Sequence, residues 1–144
     1  MAAVRTAEAH WEGSLKEGQG EVQLVSSGLG RFAVTWAARV EQPNGKTSPE
    51  ELIAAAHSTC FSMSISNELV LAGNPAPSSV DTTVEVTFQP GQGITGIRLT
   101  SSIVVPGVDK EKFDAAVEAA KKNCPVSRAL AATPITYDVS LAES

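Results

Sequence analysis

The sequence is poor in cysteine and lacks long apolar runs, internal repeats and any excess of basic residues. No apolar run is long enough to cross a bilayer, and the first ten residues lack the apolar core of a signal peptide. The 11 basic residues are scattered among 16 acidic ones, giving a net charge of −5, which argues against nucleic acid or an anionic membrane as the main partner. We therefore expect a cytoplasmic protein that binds small neutral or apolar molecules.

The length of 144 residues suits a single domain spanning residues 1–144. The two cysteines are Cys60 and Cys124. A reducing cytosol keeps such residues as thiols, so a disulfide between them would be transient and catalytic rather than structural.

Both cysteines fall in segments that are predicted to be helical. A thiol reacts as the thiolate, and helix starts and nearby cations lower its pKa. Pro125 follows Cys124 directly and suits the first position of a short helix, which makes Cys124 its N-cap. Buried, inert packing is nevertheless a common use of free cysteine. From these residues alone, a redox pair and a pair of packed side chains both remain open.

A long helix is predicted between residues 48 and 73. Ser48 suits the N-cap, Pro49 the first position and Glu51 the capping box, and Gly73 ends the segment. The interior is apolar on nearly all sides, which predicts a helix buried on most of its faces. We expect a second copy of the chain to cover part of it.

Alternating apolar and polar residues predict strands on both sides of this helix. They are residues 21–26, 31–41, 82–88, 95–105 and 135–141. The first two strands are predicted to form one hairpin, and the third and fourth another. Arg39 falls on the second strand, on the face away from its apolar stripe. A second helix is predicted from Asp109. The expected fold is α+β, with antiparallel β-sheets packed around a long buried central helix, a second helix, and a short helix after Cys124.

His57 and Cys60 share a helix face at a spacing of i, i+3 and could begin a metal site. The chain has only two histidines and two cysteines, so a zinc ligand set is poorly supplied. We therefore expect no metal.

Three segments of the chain resemble the OsmC/Ohr family of thiol peroxidases, most of all its osmotically inducible protein C branch. They are residues 9–13 (AHWEG), 48–63 (SPEELIAAAHSTCFSM) and 105–127, from VPG to CPVS. The resemblance covers nearly the whole chain.

The resemblance implies a peroxidase that reduces organic hydroperoxides in oxidative and osmotic stress defence. It implies an intertwined homodimer with two active sites at the subunit interface and no metal or organic cofactor. Cys60 would be the peroxidatic cysteine and Cys124 the resolving one. An external dithiol, such as one on a lipoylated protein, would reduce the transient disulfide between them.

The resemblance also implies a catalytic arginine oriented by Glu50. Arg39 matches its place in the OsmC branch. In the other branch the arginine lies in an early Gly-rich segment, where this chain has Lys16 instead. Lys16 is the alternative cation, but it lacks the fork of donors that a guanidinium offers to a carboxylate.

Glu50 and Cys60 would lie about 15 Å apart along the axis of a continuous helix. Either the helix breaks between them or Glu50 serves Cys60 of a second subunit, and of these two we favour the second arrangement. From the residues alone, the simpler role of Glu50 is a carboxylate in the first helical turn that complements the helix dipole. Two other functions stay open: a thiol redox switch or binding protein without turnover, and a structural dimer with inert cysteines.

Overall fold

The computed structural model describes residues 1–143. They divide into an N-terminal unit, Met1–Leu52, and a C-terminal unit that begins at Ile53. The helices and strands in chain order are β1 (Ala7–Glu12), β2 (Gln19–Leu24), β3 (Arg31–Val34), α1 (Trp36–Val40), α2 (Pro49–Leu71), β4 (Ser79–Gln89), β5 (Gly93–Val104), α3 (Lys110–Asn123), α4 (Pro125–Ala129) and β6 (Ile135–Leu141). The predicted α+β class is confirmed.

The N-terminal unit contains an antiparallel sheet in the order β1-β2-β3. The predicted hairpin is confirmed, since β2 pairs with β3 from Gly20 opposite Val34 to Gln23 opposite Arg31. Gly28 in its turn has a φ of 69°, a left-handed conformation that glycine adopts without a Cβ penalty.

The predicted strand over residues 31–41 is wrong beyond Val34. The hydroxyl of Thr35 accepts a hydrogen bond from the backbone N–H of Ala38 at 3.1 Å and so caps α1. Arg39 therefore lies in the last turn of a short helix rather than on a strand. Alternation of apolar residues predicted the strand, but a local cap and two alanines favour the helix.

Helix α2 begins as predicted, because the Ser48 hydroxyl accepts the backbone N–H of Glu51 at 3.1 Å. The other half of the predicted capping box is wrong, because the Glu51 carboxylate accepts from the hydroxyl of Thr47 at 2.6 Å rather than from the backbone N–H of Ser48. The helix ends at Leu71 and is followed by Gly73 with a φ of 89°. The Asn74 N–H returns to the carbonyl of Leu69 at 2.9 Å, so the helix end is closed by a left-handed glycine cap.

The C-terminal unit contains a second sheet in the order β4-β5-β6. The predicted β4–β5 hairpin is confirmed. The prediction of antiparallel sheets is wrong for β6, which pairs with β5 in parallel. Helices α3 and α4 lie between these strands in the sequence, and a helical crossover returns the chain in the same direction. The buried core of this unit consists of Phe61, Ile65, Leu69, Leu99, Ile103, Val105, Phe113, Ala116, Val117, Ala120 and Cys124.

Helix α2 buries one face and exposes another in the single chain. His57, Phe61, Ile65 and Leu69 recur every four residues and are fully buried. Met63 and Leu71 are about 70% exposed, at 69% and 71%. The predicted burial on most sides included cover by a second copy of the chain, so for this exposed face it stays a prediction. Within residues 1–143 no helix is both long and apolar enough to span a membrane.

Candidate active site

The C-terminal unit brings the two cysteines together. Cys60 lies in the fourth turn of α2 and is partly exposed, whereas Cys124 at the junction of α3 and α4 is fully buried. Both are free thiols, and each affects the ionisation of the other. Two neighbouring thiols of this kind can pass between dithiol and disulfide.

Cys124 occupies the N-cap of α4, with Pro125 at the first helical position, as predicted. The pKa of Cys124 is lowered by the backbone N–H groups of Ser127 and Val126 and by the Ser127 hydroxyl, although the Cys124 side chain makes no cap hydrogen bond. These donors have no acceptor within the helix, since the first N–H groups of a helix lack intrahelical partners. The site therefore favours a negative charge on the sulfur.

The pKa values of the two thiols shift in opposite directions. Burial raises the pKa of Cys60, and its neighbour Cys124 raises it further, against a lowering contribution from the Val126 N–H. Burial also acts to raise the pKa of Cys124, but the hydrogen bonds from Ser127, Cys60 and Val126 together outweigh it and lower this pKa. In a single chain Cys124 is therefore the thiol that ionises more readily.

His57 lies one turn before Cys60 on α2 and is fully buried. Its Nε2 lies 2.7 Å from the Ser127 hydroxyl oxygen, and its Nδ1 has no hydrogen-bond partner among residues 1–143. Burial lowers the pKa of His57, which keeps the ring neutral at neutral pH. Over the same described residues, no group of three or more His, Cys, Asp and Glu side chains could hold a metal ion.

The N-terminal unit holds the predicted pair of Arg39 and Glu50. Arg39 donates through Nε to both carboxylate oxygens at 3.1 Å and through Nη2 to Oε1 at 2.7 Å. The Glu50 side chain is 9% exposed and that of Arg39 is 27% exposed. The guanidinium carbon lies 6.0 Å from the Trp36 ring centroid. The fork of donors thus holds a nearly buried carboxylate.

Arg39 also borders an apolar cleft of about 440 Å³ within the N-terminal unit. The cleft is lined by Ala9, Trp11, Leu15, Val22, Val34, Thr35, Trp36, Arg39, Pro49 and Leu52. Lys16, the alternative cation, is exposed between β1 and β2. Arg39 is therefore the cation that pairs with Glu50.

Helix α2 is continuous from Pro49 to Leu71 and does not break between Glu50 and Cys60. One of the two predicted solutions for their separation, a broken helix, is therefore excluded. Sequence reasoning missed the contact of His57 with Ser127, because the two residues are 70 positions apart and no local pattern joins them.

Comparison with known proteins places these features in a family. A profile of the family described as "OsmC-like protein" matches residues 42–140, more than half of the chain. The chain is 43% identical to "Peroxiredoxin OsmC" of Escherichia coli (strain K12) over 144 residues, covering 98% of this chain and 99% of that protein. It is 34% identical over 88 residues to "Organic hydroperoxide resistance protein" of Xanthomonas axonopodis pv. citri, covering 58% of each.

Solved structures share the fold over nearly the whole chain. An organic hydroperoxide resistance protein OsmC from Legionella pneumophila superposes with a TM-score of 0.67 at 27% identity, covering 99% of each chain. An OsmC-like protein of unknown function from Vibrio cholerae gives a TM-score of 0.73 at 14% identity, covering 96% of this chain and 100% of that one. By sequence and fold, the chain belongs to the OsmC-like family.

Proposed function

We propose that this chain is a cysteine-dependent peroxidase that reduces organic hydroperoxides to alcohols in oxidative and osmotic stress defence. The observation that carries the proposal is the placement of two free thiols beside each other, one of them at a helix N-cap that lowers its pKa. The names of the relatives, a peroxiredoxin and an organic hydroperoxide resistance protein, support the same chemistry.

In the first step the thiolate of Cys60 attacks the outer oxygen of the hydroperoxide. The O–O bond breaks, an S–O bond forms, and the leaving alkoxide takes up a proton to become an alcohol. Cys60 is thereby oxidised to a sulfenic acid. Its partial exposure, in contrast to the full burial of Cys124, supports its role as the residue that meets the substrate.

In the second step the thiolate of Cys124 attacks the sulfur of the Cys60 sulfenic acid. An S–S bond forms as the S–O bond breaks, and the released hydroxide takes a proton to give water. The lowered pKa of Cys124 supplies the attacking thiolate. An external dithiol, such as one on a lipoylated protein, then reduces the disulfide by exchange and is itself oxidised.

Cys60 needs a cation that its own surroundings do not supply, because burial raises its pKa. Arg39, held by Glu50, has N–H donors that can stabilise the thiolate and hydrogen-bond to the departing alkoxide, which takes its proton from solvent. Along the unbroken α2, Glu50 and Cys60 of one chain lie about 15 Å apart. We infer that the Arg39–Glu50 pair of a second protomer completes the site.

This arrangement requires a homodimer, which we propose to be intertwined. The exposed apolar side chains of α2, among them Met63, Val70 and Leu71, support a covering partner for this face. Burial against a second copy would remove them from water. The reaction as proposed uses no metal or organic cofactor, and we propose a cytoplasmic location.

The apolar cleft beside Arg39 supports a preference for bulky alkyl hydroperoxides over hydrogen peroxide. Its lining offers apolar contacts to an organic substituent and the guanidinium offers a polar end. Hydrogen peroxide has no apolar group to fill such a space.

The test is turnover. Reduced protein is mixed with excess dithiol and cumene hydroperoxide, and the hydroperoxide consumed per subunit is counted, with hydrogen peroxide as the comparison substrate. The proposal expects many equivalents of cumene hydroperoxide and slower use of hydrogen peroxide. Consumption that stops near one equivalent per subunit would indicate a redox switch, and no consumption would indicate inert cysteines.

A further inference from the structure

One buried titratable side chain takes no part in the proposed reaction. His57 is fully inaccessible to solvent, yet only one of its two ring nitrogens has a hydrogen-bond partner among the described residues. An unpaired polar atom in the interior costs free energy, so an apolar residue would fill this position more cheaply. The partner of the other nitrogen is Ser127, at a distance of 2.7 Å. Ser127 lies in the first turn of the helix that Cys124 caps, and its hydroxyl is one of the groups that lower the pKa of Cys124.

The direction of the hydrogen bond between His57 and Ser127 follows from the unpaired nitrogen. If the ring proton were on Nδ1, the interior would contain an N–H group without an acceptor. If it is on Nε2, the ring donates to the Ser127 oxygen and only the lone pair of Nδ1 is left unpaired. Orphaned buried N–H groups are the rarer of the two defects. The Nε2–H form is therefore favoured, and a neutral ring agrees with the effect of burial on this histidine.

This direction determines what Ser127 can do. A hydroxyl has one proton to donate. Because its oxygen accepts from His57, that proton does not go to the imidazole and is available to the sulfur of Cys124. The serine is 4% exposed, so water does not compete readily for the same proton.

We propose that His57 is a positioning residue for the resolving thiol: it orients the Ser127 hydroxyl toward Cys124 and so favours the thiolate that attacks the oxidised Cys60. The inference rests on the proposed peroxidase cycle. It assigns His57 no contact with substrate and no transfer of a proton.

This role of His57 does not change the atoms or electrons exchanged when Cys124 attacks the Cys60 sulfenic acid. The S–S bond forms while the S–O bond of the sulfenic acid breaks, and the released hydroxide takes a proton from solvent to form water. His57 and Ser127 keep their own protons throughout. Their contribution is to stabilise the negative charge on Cys124 before the attack.

The other ionisable groups around Cys124 are few. From α2 these are Cys60 and, through Ser127, His57. The cationic side chains of α3 and α4 that are nearest to Cys124 in sequence do not take the place of Ser127 beside the sulfur. Lys121 pairs with Glu118, and Lys122 and Arg128 are exposed. Apart from Cys60, the causes that act on Cys124 are burial and the donors of α4.

The test uses a Cys60→Ser background, which leaves Cys124 as the only thiol in the chain. The rate of alkylation by iodoacetamide is measured against pH for this parent and for Ser127→Ala, His57→Leu and His57→Gln in the same background. Ser101→Ala is the matched control. Ser101 is also fully buried in the C-terminal unit but bonds to Thr82 at 2.9 Å.

We expect Ser127→Ala and His57→Leu to move the alkylation profile to higher pH. At a fixed pH below the transition the rate should fall about tenfold, the effect of losing one hydrogen bond to a charged group. His57→Gln should recover most of the rate, because its amide N–H can donate to Ser127. Ser101→Ala should leave the profile unchanged.

An unchanged profile in His57→Leu would overturn the inference and leave His57 as packing. A nitrogen NMR measurement on the parent protein tests the same inference without any substitution of the histidine. The His57 ring should be protonated on Nε2 alone, and protonation on Nδ1 would contradict the proposal. Neither measurement uses a peroxide, so each can fail or succeed independently of the proposed peroxidase activity.

Discussion

The two thiols differ in a way that burial alone does not explain. Cys124 is fully buried and Cys60 is only partly so, yet the pKa of Cys124 is lowered while that of Cys60 is raised. If desolvation alone set the two pKa values, Cys124 would have the higher one. The two pKa values instead follow the number of hydrogen-bond donors that act on each sulfur.

Their positions on the helices explain this difference. Cys60 lies inside α2, where the backbone N–H groups are used by the helix itself. Cys124 precedes α4, whose first N–H groups have no acceptor within the helix. A cysteine inside a helix must therefore obtain its stabilising charge from another element. A cysteine at an N-cap is stabilised as the thiolate by the first backbone N–H groups of the helix that follows it.

The largest expected effect comes from removing each thiol in turn. Cys60→Ser should abolish the reaction with cumene hydroperoxide, since no group remains to attack the O–O bond. Cys124→Ser should still react about once per subunit and then stop at a sulfenic acid, because nothing resolves it. Stopped-flow consumption assays and trapping of the sulfenic acid with dimedone distinguish the two variants. Equal activity of both variants would remove the division of roles between the thiols.

A smaller effect is expected from replacing the cation, Arg39. Arg39→Met should lower kcat/KM for cumene hydroperoxide by about 10²-fold, the scale of losing a positioned acid or charge in a transition state. Arg39→Lys should restore only part of it, because an ammonium lacks the fork that holds Glu50.

Arg31→Met is the matched control for the arginine substitutions. Arg31 also pairs with a carboxylate, Glu21, at 2.9 Å, but both side chains are well exposed, and exposed pairs contribute little. The peroxidase activity of Arg31→Met should stay close to that of the unsubstituted protein. An equal loss in both methionine variants would mean that net charge, rather than the Arg39–Glu50 pair, supports Cys60.

The smallest effect is a pH dependence of folding stability. The pKa of Cys124 is lowered on folding, so its stabilising contribution is present above the ordinary value of 9.0 and is lost as pH falls through the lowered folded value. The free energy of unfolding of Cys60→Ser, relative to the protein that also has Cys124→Ser, should therefore rise as pH approaches 9.0. Urea unfolding from neutral to alkaline pH measures this difference. A relative stability that falls with pH would contradict the sign.

The helix ends were the most predictable part of the chain. Ser48, Asp109 and Pro125 each carry a local signal, and each takes its predicted place in the structure. The strand over residues 31–41 failed because Thr35 caps a helix that its apolar alternation does not reveal. The direction of β6 was missed because pairing between distant strands depends on the crossover and not on the strand itself.

The site divides in the same way. The sequence pointed to Cys60, Cys124, Arg39 and Glu50, and the structure places the first two together and the last two together. The sequence contained no sign of the contact between His57 and Ser127, since a hydrogen bond between two helices far apart in the chain leaves no periodic pattern. Local capping chemistry can be predicted from neighbours in the sequence, whereas such contacts need the tertiary fold.

The most direct test of the peroxidase account is the bond between the two thiols. Reduced protein is given an equimolar amount of cumene hydroperoxide, the remaining thiols are counted, and the digest is mapped by mass spectrometry. The account predicts rapid loss of both thiols into a Cys60–Cys124 disulfide that a dithiol reverses. Survival of both thiols would contradict it and would leave the cysteines as packing residues.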